Sequence, residues 1–122
     1  MRYVRIYSAE DGGSRFEDVE VTGEPAPIVD GLPPLLVSGP FPVQTALFVD
    51  QPQEATDWLA HVSPRRQWVI LLSGRVAVTT TDGARREFIA GDVILAEDTT
   101  GQGHLSTPLT PDVTFIMLPM AP

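Results

Sequence analysis

The sequence predicts an all-β domain, an antiparallel sandwich or barrel, on three observations. Short runs of alternating or continuously apolar β-favouring residues recur along the chain, at 3–7, 15–21, 42–50, 67–72, 75–81, 84–89, 93–96 and 113–118. Turn-forming clusters separate them, the strongest being Asp82-Gly83. Twelve prolines and ten glycines in 122 residues disfavour long helices, and no segment carries a helical period. Short strands at turn-marked intervals suit a sandwich or a barrel.

Taken in order, residues 3–7 alternate and read as a strand, and 10–14 are a turn cluster. Residues 15–21 pair back as a hairpin, with Glu17, Asp18 and Glu20 facing water. The proline-rich stretch 23–42 cannot donate a full ladder of hydrogen bonds. It also carries Ile28, Leu32, Leu35 and Leu36, too apolar for a free linker, so it is expected as an extended segment packed on the body of the domain. Residues 42–50 form a β-type run and 50–57 a polar loop; 56–62 could open a strand or sit on a turn. The apolar run after Gln67 fits a strand buried on both faces. Gly74 punctuates it, and 75–81 and 84–89 flank a two-residue turn at Asp82-Gly83. A second turn at 90–92, a short buried strand at 93–96, a flexible glycine loop at 99–103 and a closing strand at 113–118 complete the chain.

Length and composition imply one domain, 1–122, with a small but real core. The start of the chain does not read as a signal peptide, and no apolar run reaches membrane-spanning length. Cysteine is absent, which excludes disulfides, thiolate metal sites and cysteine nucleophiles and fits a cytoplasmic setting. Lysine is absent too, which excludes a lysine Schiff base. A net charge of −8 argues against wrapping nucleic acid.

The chain's two histidines, His61 and His104, stand at the ends of the stretch on which the rest is organised. If the strand from His61 is regular, His61, Ser63, Arg65, Gln67 and Val69 share one face. A sheet that rolls up would bring His104 to them, making a mostly apolar cavity with a few converging polar groups. An inward arginine would clamp a substrate carboxylate or phosphate, although pairing of Arg65 or Arg66 with Glu97 or Asp98 is the default. Asp98-Thr99-Thr100 reads first as a turn, with Asp98 orienting the His104 ring as the alternative. Trp68, opposite in parity to Gln67, should pack on a second sheet or a partner; Arg85, Arg86 and Glu87 read as a solvated edge.

The residues His61, Ser63, Gln67 and Gly74, followed by Gly91-Asp92 and His104, resemble the two motifs of the cupin superfamily. The match covers 59–108 well and the N-terminal third hardly at all. The resemblance implies an antiparallel jelly-roll β-barrel, a cupin-like domain with the strand pair and extended segment of 1–42 packed on it. Metal-binding cupins hold a divalent ion with three histidines and a glutamate; this chain has serine and glutamine at two of those positions. The resemblance therefore implies a metal set of His61, Gln67 and His104 for iron, manganese, nickel or zinc, with occupancy left open. Glu97 or Asp98 could supply a carboxylate if the loop folds inward.

Three functions compete. One is an enzyme acting on a small organic molecule through His61, His104 and Arg65, either as a metal-assisted oxygenase, isomerase or lyase, or by acid–base chemistry without metal. Another is a non-catalytic module that binds a small ligand. The last is a barrel kept only for assembly. Partners expected are a small molecule and a second copy of the chain, with no nucleic acid and no membrane.

Overall fold

The described residues form eleven strands: β1 (Arg2–Ser8), β2 (Ser14–Glu20), β3 (Glu24–Ala26), β4 (Leu35–Val37), β5 (Leu47–Gln51), β6 (Gln67–Ser73), β7 (Arg75–Thr79), β8 (Arg85–Ile89), β9 (Val93–Glu97), β10 (Leu105–Pro108) and β11 (Val113–Pro119). They come from a computed structural model that describes residues 1–53 and 58–121. The loop expected at 50–57 and the ambiguous run at 56–62 lie partly outside the described residues. The fold is all-β, and no helix occurs among those residues. A six-stranded sheet runs β2-β1-β9-β6-β11-β5, a three-stranded sheet runs β10-β7-β8, and β3 and β4 form a separate ribbon. Every pairing is antiparallel except β1 with β9. The described strands do not pair into a single closed ring.

The period of two along each strand explains the core. Ile6, Leu71 and Val113 of the large sheet meet Val76, Val78 and Phe88 of the small one. Burying each such side chain contributes about 1.5–3 kcal/mol relative to leaving it in water. The apolar run of β6 is covered on its core face, but on the other face only Trp68 is buried and Leu72 is exposed, so the burial on both faces expected from the sequence holds only in part. Leu71 points to the core, whereas Trp68 lies on the other face, edge-on to Tyr3 and Phe41 at 4.9 and 5.2 Å between centroids.

Three features differ from the sequence reading. First, β1 lies inside the large sheet, hydrogen-bonded to β2 and β9, so the N-terminal strand pair is part of the body and does not sit on it. Second, the proline-rich stretch is a short ribbon whose Ile28, Val29, Leu32, Leu35 and Leu36 are exposed; it is Phe41, further on, that packs on the body through Trp68. Third, the hairpin between β7 and β8 is present but its turn is longer. Thr80 and Ala84 pair through the Thr80 amide and Ala84 carbonyl, leaving 81–83 as the loop. A two-residue type I′ turn needs positive φ at both central residues. Here only Gly83 has it, at +87°. The Asp82 carboxylate accepts from the Thr80 hydroxyl and the Ala84 amide and holds the loop in this form.

The two sheets are also tied on the outside. Arg86 of β8 makes two hydrogen bonds, 2.7 Å each, to the carboxylate of Asp18 on β2, and its guanidinium lies over Phe16. That guanidinium holds the Asp18 carboxyl below the ordinary value of 3.8. A folded-state value below the unfolded one stabilises above the unfolded value, and the gain is lost as pH falls through the folded one. Asp18→Asn is therefore expected to lower the Tm by about 1–2 °C at neutral pH, because the pair is exposed. It is expected to change nothing at a pH below the folded value. Thermal melts at the two pH values check it.

Candidate functional site

His61 and His104 are the two halves of an isolated antiparallel bridge. Each backbone N–H donates to the other's carbonyl at 3.0 Å. Residues paired this way put their side chains on one face. The two rings accordingly lie 5.5 Å apart between centroids, tilted by 44°. The bridge depends on Gly103, which sits at φ +74° with its α-carbon against the His61 carbonyl. Gly101 approaches the Gly12 carbonyl in the same way. The glycine loop expected to be flexible is thus tied down on several sides. Ser14 Oγ donates to the Gly103 carbonyl (2.7 Å), Ser8 Oγ to the Thr100 carbonyl (2.9 Å), and the Gln102 amide to the Gly12 carbonyl (2.8 Å).

Both rings are held at Nδ1. The His104 Nδ1 lies 2.5 Å from Oδ2 of Asp98, whose side chain is fully buried. The His61 Nδ1 lies 2.9 Å from the Leu59 carbonyl oxygen. Carboxylate and carbonyl oxygens accept, so in each ring Nδ1 carries the proton and donates. The nitrogen left over in both rings is Nε2, and among the described residues neither Nε2 has a hydrogen-bond partner. The turn expected at 98–100, held by side-chain-to-backbone bonds, does not form; the Thr99 amide donates instead to the Glu97 carbonyl in a tight backbone bond around Asp98. It leaves the Asp98 side chain to the ring, which is the alternative role read in the sequence. The other oxygen of Asp98, Oδ1, is buried without a partner among the described residues.

A cavity of about 330 Å³ opens beside the pair. Its walls are Val49 and Gln51 of β5, Gln67 and Val69 of β6, Ala96 of β9, Ser106 of β10, and Phe115 and Met117 of β11, with His61, Ser63, His104 and Trp58 also contributing. Beneath it a recess of about 70 Å³ reaches Ile6, Leu71 and Val76 of the core. The face predicted by parity is there in His61, Ser63, Gln67 and Val69. Arg65 is exposed and does not line the cavity. The chain bends at 64–66 before β6 starts, so alternation does not carry through that position. The Ser63 hydroxyl donates to the Arg65 carbonyl at 2.6 Å, which fixes the bend and occupies that hydroxyl.

The carboxylates considered as extra ligands are both engaged. Glu97, on the outer face of β9, accepts from Arg5 Nε and Arg66 Nε at 2.6 Å each, and Asp98 holds His104. Among the described residues no group of three or more histidine, aspartate or glutamate side chains is placed to hold an ion. Gln51 was not singled out in the sequence. Its signal was its place two residues after Val49, on the inward parity of β5. A larger groove, about 580 Å³, lies between β1, β2, β8 and the start of β9. Several of its charges already pair across it, Arg86 with Asp18 and Arg2 with Glu20, so the smaller cavity is the better candidate.

No protein-family model and no curated protein matches this chain.

Proposed function

We propose that this chain is a cupin-like jelly-roll protein whose cavity carries out acid–base chemistry on a small organic molecule. His104 is the general base and His61 the second proton-carrying group. The observation that supports this most is the bond between Asp98 and His104. A fully buried carboxylate orients one imidazole beside a cavity and leaves the other ring nitrogen unpartnered among the described residues. Burying a charge is costly, and a purely structural role does not require it. The base takes a proton from carbon next to a carbonyl; returning it to the opposite face gives epimerisation, returning it elsewhere gives isomerisation, and loss of a neighbouring group gives elimination. Arg65 stands outside the cavity and has no role in these steps. The reading includes a cytoplasmic homodimer. The lack of cysteine supports the compartment, and the exposed Leu47 and Phe48 on edge strand β5 support the dimer. No described helix is long and apolar enough to cross a membrane.

The test is proton exchange. A panel of small hydroxy-carbonyl compounds is incubated with the protein in D2O. Deuterium should appear next to the carbonyl of at least one compound, and His104→Gln should slow this by about 10²–10⁴-fold. Binding in the cavity without any exchange would point instead to a non-catalytic binding module.

A second reading follows from His61, Gln67 and His104 lining the same cavity. They offer two imidazoles and an amide, all neutral, with no carboxylate among them. This set fits an open, weakly held iron, manganese, nickel or zinc ion. When bound, such an ion would polarise a substrate oxygen. Metal analysis of protein purified without an affinity tag separates the two readings. Stoichiometric metal that is lost in His61→Ala supports this one, and clean absence supports the metal-free reading.

A further inference from the structure

The cavity and the recess beneath it share a neck. Gln51, Val69, Ala96, His104, Ser106 and Phe115 line both spaces. The described residues that line the recess and not the cavity are Ile6, Leu71, Val76, Val78 and Ile94, all aliphatic. Polarity falls with depth on both walls. On β6 the inward side chains run Gln67, Val69, Leu71, and β9, paired with it, runs Ala96 and then Ile94. On the small sheet His104 and Ser106 stand at the neck, and Val78, directly across from Ser106 in register, leads down to Val76. The walls converge at the bottom. Ile6, Leu71, Val76 and Val78 belong to one packed cluster, with Ile94 and Phe115 against it.

A void lined by aliphatic carbon stays dry, because a buried water needs two or more polar partners. Its lining atoms also lack contacts on one side. The recess holds about 70 Å³. At the roughly 30 Å³ that one water occupies in the liquid, this is room for two to three groups of that size. An alkyl group that enters leaves water and supplies the missing contacts, a gain of about four-fold in affinity per methylene. The polar side chains His61, Ser63 and Gln67 line the cavity and not the recess. His104 lines both, so a molecule that spans the neck has its middle beside that ring.

We propose that the site takes a small amphipathic carbonyl compound whose carbonyl end stays in the cavity with the histidines and whose straight alkyl group of two or three carbons enters the recess. Leu71, Val76 and Val78 stop that group and so set its length. This rests on the cavity being the functional site, and it names the substrate class for the chemistry proposed above. The carbon next to the carbonyl then lies at the neck, beside the ring that takes its proton.

The experiment titrates the full chain with a series of methyl ketones, from acetone to 2-heptanone. Methyl signals of Ile6, Leu71, Val76, Val78 and Ile94 are followed in 1H–13C spectra. Affinity is expected to rise about four-fold per added carbon. The rise should stop at 2-butanone or 2-pentanone, whose longer arms have two and three carbons, and these ketones should move the five sets of signals. Val78→Ile adds a methylene to the recess and should weaken the best ketone about four-fold while leaving acetone unchanged. Ile94→Val removes one and should carry the rise one carbon further. The wild-type series carries the test if a variant does not fold. The inference is overturned if affinity keeps rising past 2-pentanone, as plain partitioning out of water would give. It is equally overturned if affinity does not depend on chain length, if the five sets of signals stay in place, or if no ketone binds. The series is also run on His104→Gln, where the same break is expected because binding needs no proton transfer. Exchange that depends on His104 together with a flat series would sink this inference alone. A break at two or three carbons without exchange by any compound would sink the acid–base reading alone.

Discussion

Gly103→Ala is expected to destabilise the protein by about 4 kcal/mol or more, enough to lower the Tm by roughly 10 °C or prevent folding. Two effects add. A non-glycine residue at φ +74° costs about 1–2 kcal/mol by itself. The new Cβ would also collide with the backbone carbonyl of His61, and backbone cannot swing aside as a long side chain can. The bridge between His61 and His104 would then have to open, and the two rings would separate. Gly83→Ala is the control. Its φ is +87° and nothing lies within 4 Å of an added Cβ, so it should cost only the conformational part, about 1–2 kcal/mol. Thermal melts of the two variants side by side measure the difference.

Asp98→Asn is expected to slow His104-dependent proton exchange by about 10²–10⁴-fold, comparable to losing the base itself. An asparagine can turn its NH2 toward the ring and force the proton from Nδ1 to Nε2, the nitrogen that has to accept. Stability should move much less, by about 1 kcal/mol or less. The neutral amide removes a buried charge whose Oδ1 has no partner among the described residues, which offsets the weaker bond to His104. A slow variant with a near-normal melting curve marks Asp98 as a positioning residue. A variant that unfolds marks it as a structural one.

Much of the strand pattern could be read from the chain because alternation, proline and glycine act locally. The hairpin of β1 and β2 and the strands β6 and β11 follow from residue type and spacing, although Leu72 leaves one face of β6 partly exposed and β11 lies inside the sheet, with β5 at its edge. What escaped depends on partners distant in sequence. β10, Leu-Ser-Thr-Pro, has little strand character of its own and exists because β7 pairs with it. The ribbon of β3 and β4 forms although Pro25 lies in it, because Pro25 faces Leu36 in a ladder too short to need every donor. The length of the loop at Asp82-Gly83 was set by the Thr80 and Asp82 side chains, which a dipeptide signal does not include.

The site divides the same way. Parity placed His61, Ser63 and Gln67 on one wall, and motif spacing brought His104 to them. Parity failed at Arg65 because a proline-led bend interrupts the strand there. The glycines of the 99–103 loop looked like flexibility and are there for close backbone approach, which only the folded neighbours Gly12 and His61 reveal. Gln51 could have been found by carrying the inward parity of Val49 two residues on.

The most direct measurement is a long-range 1H–15N correlation spectrum of the two imidazoles at about pH 8, where an ordinary histidine is neutral, together with ring-to-ring NOEs. Both rings should carry their proton on Nδ1, with Nε2 bare, and NOEs should connect His61 to His104. A proton on Nε2 of His104, or rings with no cross-peak between them, would mean that Asp98 does not orient a base inside a shared cavity.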